Sequence, residues 1–150
     1  DLKLLQPSRR VEIHISLNVY VSGAEWLLQQ LVTNIFSNIR IHTNSNVPVR
    51  IRLTSDKNWV ELQVEDGGPG LPLSAYTTGI QQFRRYDPAR SRENGGSGLG
   101  MSIMQAIVER HSGTMQLSPS ELGGLSVIVR LPSFKSVQAS YEHPKQRNQV

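Results

Sequence analysis

The sequence predicts an α/β (α+β) two-layer sandwich, one mixed sheet with helices on one face. Three observations predict it. Short alternating runs and longer helical runs follow in the order strand, helix, two strands, a long polar stretch, helix, two strands, a succession that builds a sheet covered by helices. At 150 residues the chain buries one good core, so a single domain is expected. No internal repeat argues for a solenoid or propeller.

Taken in order, residues 1–10 are a mixed lead-in, with Pro7 breaking any helix. Val11, Ile13, Ile15 and Leu17 alternate with Glu12, His14 and Ser16, the pattern of a half-buried strand. His14 falls on its polar face, the place of an exposed strand histidine. Ser22 or Gly23 suits a helix start. From Glu25 to about Ile41, Leu27, Leu28, Leu31, Ile35 and Ile39 line one helical side. Thr43-Asn44-Ser45-Asn46 is a turn, Val47 to Thr54 a strand, and Asp56-Lys57-Asn58 the turn back into Trp59, Val60, Leu62 and Val64. That strand ends at Glu65-Asp66-Gly67-Gly68-Pro69-Gly70. Residues 71–97 are polar, rich in Arg and weakly periodic, the signature of a functional lid or a disordered segment. A helix from Leu99 to Glu109 follows, with Leu99, Ile103, Ala106 and Ile107 on one face, and Ser112-Gly113 ends it. Thr114–Leu117 and Leu125–Leu131 read as a last hairpin around Glu121-Leu122-Gly123-Gly124. The domain is taken as 1–132, and 133–150, polar with scattered charge, as a disordered tail.

Composition narrows the function. Apolar content of 37% and charged content of 19% suit a soluble globular protein. With no cysteine, a disulfide framework and a thiolate metal site are both excluded. No apolar run reaches membrane-spanning length and no signal peptide is visible; a cytoplasmic setting is expected, as is a domain cut from a membrane-anchored parent. The 16 Lys and Arg against 12 Asp and Glu leave a charge of +4, but no aromatic-interleaved basic stripe supports nucleic-acid binding.

Four features carry chemistry. Asn94-Gly95-Gly96-Ser97-Gly98-Leu99-Gly100 runs straight into a helix. Glycines so dense belong to neither a helix nor a strand interior, and the unpaired N–H groups of a helix start attract anions, phosphate above all. The spacing is neither the dinucleotide fingerprint nor a Gly-Lys-Ser/Thr loop. Asn34 and Asn38 lie one turn apart on one helix face. Asn weakens a helix, so two need a reason; an amide oxygen suits Mg²⁺ without repelling phosphate. For Asn34, bonds to backbone or solvent fit equally. Asp66, at a strand end, accepts hydrogen bonds only. It suits the exocyclic amine of adenine and disfavours guanine, and it also suits a capped tight turn. Gly68 and Gly70 let a base lie against the backbone. Phe83-Arg84-Arg85-Tyr86-Asp87-Pro88-Ala89-Arg90-Ser91-Arg92 is basic enough to neutralise phosphates.

In order, Asn34-x-x-x-Asn38, Asp66-x-Gly68-x-Gly70, Phe83 and Gly96-x-Gly98-Leu99-Gly100 resemble the asparagine, first glycine, phenylalanine and second glycine boxes of the catalytic, ATP-binding domain of bacterial sensor histidine kinases. The resemblance covers roughly residues 11–131 and implies the Bergerat ATP-binding fold, a mixed sheet with helices on one face and a flexible ATP lid. It implies that Asn38 holds Mg²⁺ against the phosphates, that Asp66 reads adenine, and that Gly68 and Gly70 shape the pocket. By the same resemblance Asn34, Phe83, Ser97 and Leu99 belong to the nucleotide site, Arg85 and Arg90 meet phosphates or dock the lid, and Gly96, Gly98 and Gly100 let the lid fold over. His42 stands near where the family often has an aromatic or His by the ribose and phosphates; a surface histidine at a helix end fits it almost as well.

The resemblance also implies partners: ATP, a dimerisation domain carrying the acceptor histidine, and a response regulator whose aspartate receives the phosphoryl later. The isolated domain is expected to be monomeric. ATP-hydrolysing relatives carry a Glu four residues before the metal Asn. Here that position is Asn34, so water activation is poor, which suits a kinase whose nucleophile and base come from another domain. None of His14, His42, His111 or His143 has the helical setting of the acceptor, so the chain is expected to be the catalytic domain alone. One departure, Ile41 where the family commonly has Lys or Arg, keeps open a degenerate nucleotide- or partner-binding module without phosphotransfer.

Overall fold

A computed structural model describes residues 6–77 and 99–135 of the chain. Its elements are β1 (Val11–Ile15), α1 (Glu25–His42), β2 (Val49–Ser55), β3 (Trp59–Asp66), α2 (Leu73–Thr77), α3 (Leu99–Arg110), β4 (Thr114–Pro119) and β5 (Leu125–Pro132). The sheet has five strands in the order β1-β2-β3-β5-β4. β1 runs parallel to β2, and all other neighbours are antiparallel. The sheet is therefore mixed.

Alternation along each strand builds two unlike faces. The register Ile51↔Val64↔Val127 and Leu53↔Leu62↔Val129 stacks apolar side chains on one face. That face meets Leu27, Leu31, Ile35 and Ile39 of α1 and Met104, Ile107 and Val108 of α3 in one core. The other face pairs Arg50 with Glu65, Arg52 with Gln63 and Glu61 with Arg130. α1 and α3 pack on each other as well as on the sheet.

Local details depart from the sequence reading, each for a physical reason. β1 stops at Ile15, and Leu17 beyond it is 87% exposed. Ile13 and Ile15 are themselves more than half exposed, because β1 is an edge strand. α1 starts without the expected side-chain cap: Ala24 is the N-cap residue, and its carbonyl accepts from the N–H groups of Leu27 and Leu28. Gly23 serves packing instead, since a Cβ there would stand 2.4 Å from the His111 ring. The buried side of α3 is Met104, Ile107 and Val108, while Ala106 is exposed. A short helix, α2, occupies Leu73–Thr77, within a stretch that lacks clear periodicity. Past Pro132, Ser133 is buried and bridges Val21, so packing continues beyond the last strand.

The end of α3 combines two features. Gly113 N–H donates to the Val108 carbonyl (2.9 Å) and Ser112 N–H to that of Glu109 (3.0 Å), the double bond of a Schellman ending. That motif needs a left-handed residue at the penultimate position, usually glycine; here Ser112 holds φ 57°. A Cβ at Gly113, by contrast, would lie 2.3 Å from the Arg130 carbonyl. Replacing Ser112 with Gly relieves a left-handed conformation that costs an L-residue about 1 kcal/mol, partly offset by the greater freedom of glycine in the unfolded chain. Urea unfolding of Ser112→Gly is expected to show a stability gain of up to about 0.5 kcal/mol, whereas Gly113→Ala loses stability.

Candidate functional site

Asp66 is the last residue of β3 and is 6% exposed. Its backbone closes the sheet end, where Gly67 N–H donates to the Pro48 carbonyl (3.0 Å) and Gly124 N–H to the Asp66 carbonyl (3.1 Å). Its carboxylate turns back on the same loops. Oδ1 accepts from Gly68 N–H (2.8 Å) and Leu125 N–H (3.3 Å), and the hydrogen bonds it draws from described residues all fall on that oxygen. One oxygen is thus spent on holding the carboxylate, which leaves Oδ2 as acceptor for a ligand.

Such closeness excludes side chains. A Cβ on Gly124 would stand 2.2 Å from Asp66 Oδ1 and 2.6 Å from Gly68 N. One on Gly68 would meet Thr43 Cγ2 at 2.5 Å and Asp66 Oδ1 at 2.9 Å. Gly70 has φ +67° and faces the Tyr76 hydroxyl, which accepts from Leu71 N–H (2.8 Å). α2 therefore pins the glycine segment through Tyr76. Gly124 and Tyr76 are parts of the site that sequence reasoning passed over. Gly124 reads as an ordinary hairpin glycine, and Tyr76 sits in a segment without periodicity.

The neighbour of Asp66 holds the same turn from the sheet's other face. Glu65, 1% exposed, accepts from Glu121 N–H through Oε1 (3.3 Å). Its Oε2 is buried without a hydrogen bond among the described residues, 3.6 Å from the guanidinium groups of Arg50 and Arg52. Arg50 also reaches Glu12 and Glu121, and the Glu12 bond and charge raise its pKa.

α1 supplies the second wall. Asn34 Nδ2 is buried and has no hydrogen-bond partner among the described residues, an arrangement that costs a few kcal/mol unless a ligand or further chain completes it. Asn38 Oδ1 faces the first turn of α3, 3.5 Å from where a Gly100 Cβ would stand. His42 is exposed in the last turn of α1, next to the C-cap Thr43 that touches Gly68. Asn34, Asn38 and His42 are thus on one helix, Asp66, Gly68 and Gly70 on the β3–α2 connection, and Gly100 at the start of α3. Leu99 opens α3, but its side chain is outside the description; Phe83, Arg85, Arg90, Gly96, Ser97 and Gly98 lie outside the described residues. Donor chemistry fits a nucleotide: a buried acceptor for a base, a buried amide donor, and an amide oxygen suited to a hard cation. Among the described residues no cluster of His, Cys, Asp or Glu suits a metal ion, and no helix is long and apolar enough to cross a membrane.

Comparison with known proteins identifies the family and the fold. Residues 23–135 match the family described as histidine kinase-, DNA gyrase B-, and HSP90-like ATPase. The chain is 40% identical over 114 residues to the "Probable sensor histidine kinase TcrY" of Mycobacterium tuberculosis, across 76% of this chain and 24% of that one. It is 32% identical over 108 residues to the sensor histidine kinase CpxA of Escherichia coli, across 72% and 23%. It spans about a quarter of the length of these curated relatives. Among solved structures, the ATP binding domain of PrrB from Mycobacterium tuberculosis superposes with a TM-score of 0.67 at 25% identity, covering 87% of this chain and 84% of that one. The mycobacterial sensor histidine kinase MprB gives 0.73 at 24% identity, covering 88% of each.

The two hairpin glycines separate pocket shape from stability. Gly124→Ala drives a methyl into the Asp66 carboxylate and is expected to weaken ATP binding at least about tenfold, or about 1.4 kcal/mol. A Cβ at Gly123 meets nothing within 4 Å, but its φ is +103°. Gly123→Ala is therefore expected to lower the unfolding midpoint while leaving the Kd for ATP unchanged. Calorimetric titration beside thermal unfolding reads both.

Proposed function

The chain belongs to the histidine kinase-, DNA gyrase B-, and HSP90-like ATPase family and is an ATP-binding catalytic domain of the histidine-kinase type; from that premise we propose that it transfers the γ-phosphoryl group of Mg-ATP to a histidine on an adjacent dimerisation domain. The observation that carries the base assignment is the Asp66 carboxylate, nearly buried and held through one oxygen by two backbone N–H groups. A carboxylate so fixed accepts from the exocyclic amine of adenine and repels the carbonyl oxygen that guanine presents at that edge.

Asn38 holds the Mg²⁺ through its amide oxygen, and Asn34 donates its buried N–H to the nucleotide. Bound Mg²⁺ neutralises developing charge on the phosphates. The protein's share is positioning: the base is fixed at Asp66, and the triphosphate lies toward the start of α3, where the positive end of the helix dipole favours anions. By the family resemblance Phe83, Arg85, Arg90, Gly96, Ser97, Gly98 and Leu99 belong to the nucleotide site, with Arg85 and Arg90 meeting phosphates or docking the lid, His42 borders the ribose and phosphates, and Gly68, Gly70 and Gly100 keep the walls thin. Asn34, with no carboxylate to deprotonate water, leaves nucleophile activation to the acceptor domain. A response regulator then takes the phosphoryl group onto an aspartate, and the parent protein is anchored in a membrane with this domain on the cytoplasmic side. The domain takes in the expected residues 1–132 and continues at least to Ser133, which is buried and bridges Val21.

One observation favours a second reading, a nucleotide- or partner-binding module that no longer transfers phosphoryl. Ile41 is 43% exposed at the position where the resemblance leads one to expect a basic side chain. Labelled ATP mixed with this chain and a purified dimerisation domain distinguishes the two: a labelled histidine is expected, and its absence together with intact ATP binding establishes the module.

Asp66→Asn is expected to abolish measurable ATP binding, because its amide presents N–H to a donor; near-native affinity overturns the base assignment. Asn38→Ala is expected to remove the Mg²⁺ dependence of binding, read by titration with and without the ion.

A further inference from the structure

Arg9 precedes the segment that matches the family, residues 23–135, yet it is 2% exposed. A buried guanidinium is retained only where its donors are met. Nε donates to Gln6 Oε1 (2.7 Å), Nη1 to Thr43 Oγ1 (2.9 Å) and the Val47 carbonyl (3.2 Å), and Nη2 to the carbonyls of Asn44 (2.8 Å) and Thr43 (3.4 Å). Four of these five bonds grip the connection between α1 and β2.

That connection touches the base pocket at both glycines that follow Asp66, Gly67 and Gly68. The Thr43 hydroxyl donates to the Ile39 carbonyl (2.6 Å) and accepts from Arg9. With both roles of the hydroxyl used, the β-branched side chain has one rotamer. Its methyl is then aimed at Gly68, where an added Cβ would stand 2.5 Å away. At the other end of the connection, the Pro48 carbonyl accepts from Gly67 N–H, and Pro48 Cδ would be 2.9 Å from a Gly67 Cβ. Gly68 N–H in turn holds Asp66 Oδ1. Burial pulls the Arg9 pKa down, and the charge of Asp66 opposes that pull, so the two groups also interact through space.

We infer that Arg9 is a positioning residue for the nucleotide base: acting through Thr43, it sets the backbone at Gly67 and Gly68 so that Asp66 meets adenine. The inference rests on the reading of Asp66 as the base-recognising group. It assigns part of the nucleotide pocket to the segment ahead of the matched domain. A Lys at this position would keep the charge but lose the fork that reaches Thr43 and the carbonyls together.

Calorimetric titration of the full chain with Mg-ATP, alongside thermal unfolding, tests it. Thr43→Ser keeps the hydroxyl bonds and removes only the methyl; Arg9→Lys keeps the charge and removes the fork. Each is expected to raise the Kd about tenfold. The double variant is expected to bind no more weakly than the weaker single one, because both act on one contact. A merely structural clamp would lower the unfolding midpoint and leave the Kd of the folded protein unchanged. That outcome, or two effects that multiply, overturns the inference. Asp66→Asn, titrated in parallel, keeps the two readings apart. If it binds ATP normally, the base assignment fails whatever Arg9 does. If it loses ATP while Thr43→Ser and Arg9→Lys leave the Kd unchanged, only the role of Arg9 falls.

Discussion

A carboxylate bound to its own backbone is the constraint on which the site depends. Asp66 Oδ1 is held by the N–H groups of Gly68 and Leu125, and neither Gly68 nor Gly124 has room for a Cβ. The chain must therefore pass twice within van der Waals distance of one side chain, at the β3 end and at the hairpin before β5. This close approach uses glycine for its missing side chain more than for its free backbone.

The sheet makes the approach possible because its central strand places two acidic residues back to back. Glu65 and Asp66 point to opposite faces, as neighbours on a strand must. Asp66 faces the helices and the pocket; Glu65 faces the polar side and holds the same turn through Glu121 N–H. Burying Glu65 is costly unless it is paired, and Arg50 and Arg52 stand 3.6 Å from it. Both faces of the sheet thus converge on the segment 120–125, one with charge and one with backbone hydrogen bonds.

α1 does two jobs with different sides of the same helix. Leu27, Leu31, Ile35 and Ile39 recur every four residues and seat it in the core. Asn34 and Asn38 repeat the same interval on an adjoining stripe, so rigidity gained from the core is passed to two amides. The helix closes on Thr43, whose hydroxyl and methyl face different partners. The Asn34 amide, without a hydrogen-bond partner among the described residues, marks where their packing leaves hydrogen bonding incomplete, a burden that binding sites carry and cores avoid.

Much of this was legible in the sequence. The period-two runs placed every strand, and the helical runs placed α1 and α3, because burial on one face imposes a period that needs no distant information. Asn34, Asn38, Asp66, Gly68 and Gly70 stood out because Asn in a helix and glycine around an acid both break local rules. Tertiary structure alone decided what depends on residues far apart in the chain. That Gly124 must be glycine follows from where Asp66 lies, 58 positions earlier by subtraction of their numbers. That Ala106 is exposed while Met104 is buried depends on which side of α3 meets the sheet. That Leu17 stands in solvent follows from the early end of an edge strand. Arg9 read as part of a mixed lead-in; its partners gather only when the α1–β2 connection folds over it. Local period and composition determine what an element is, whereas contact distance across the fold determines what that element must make room for.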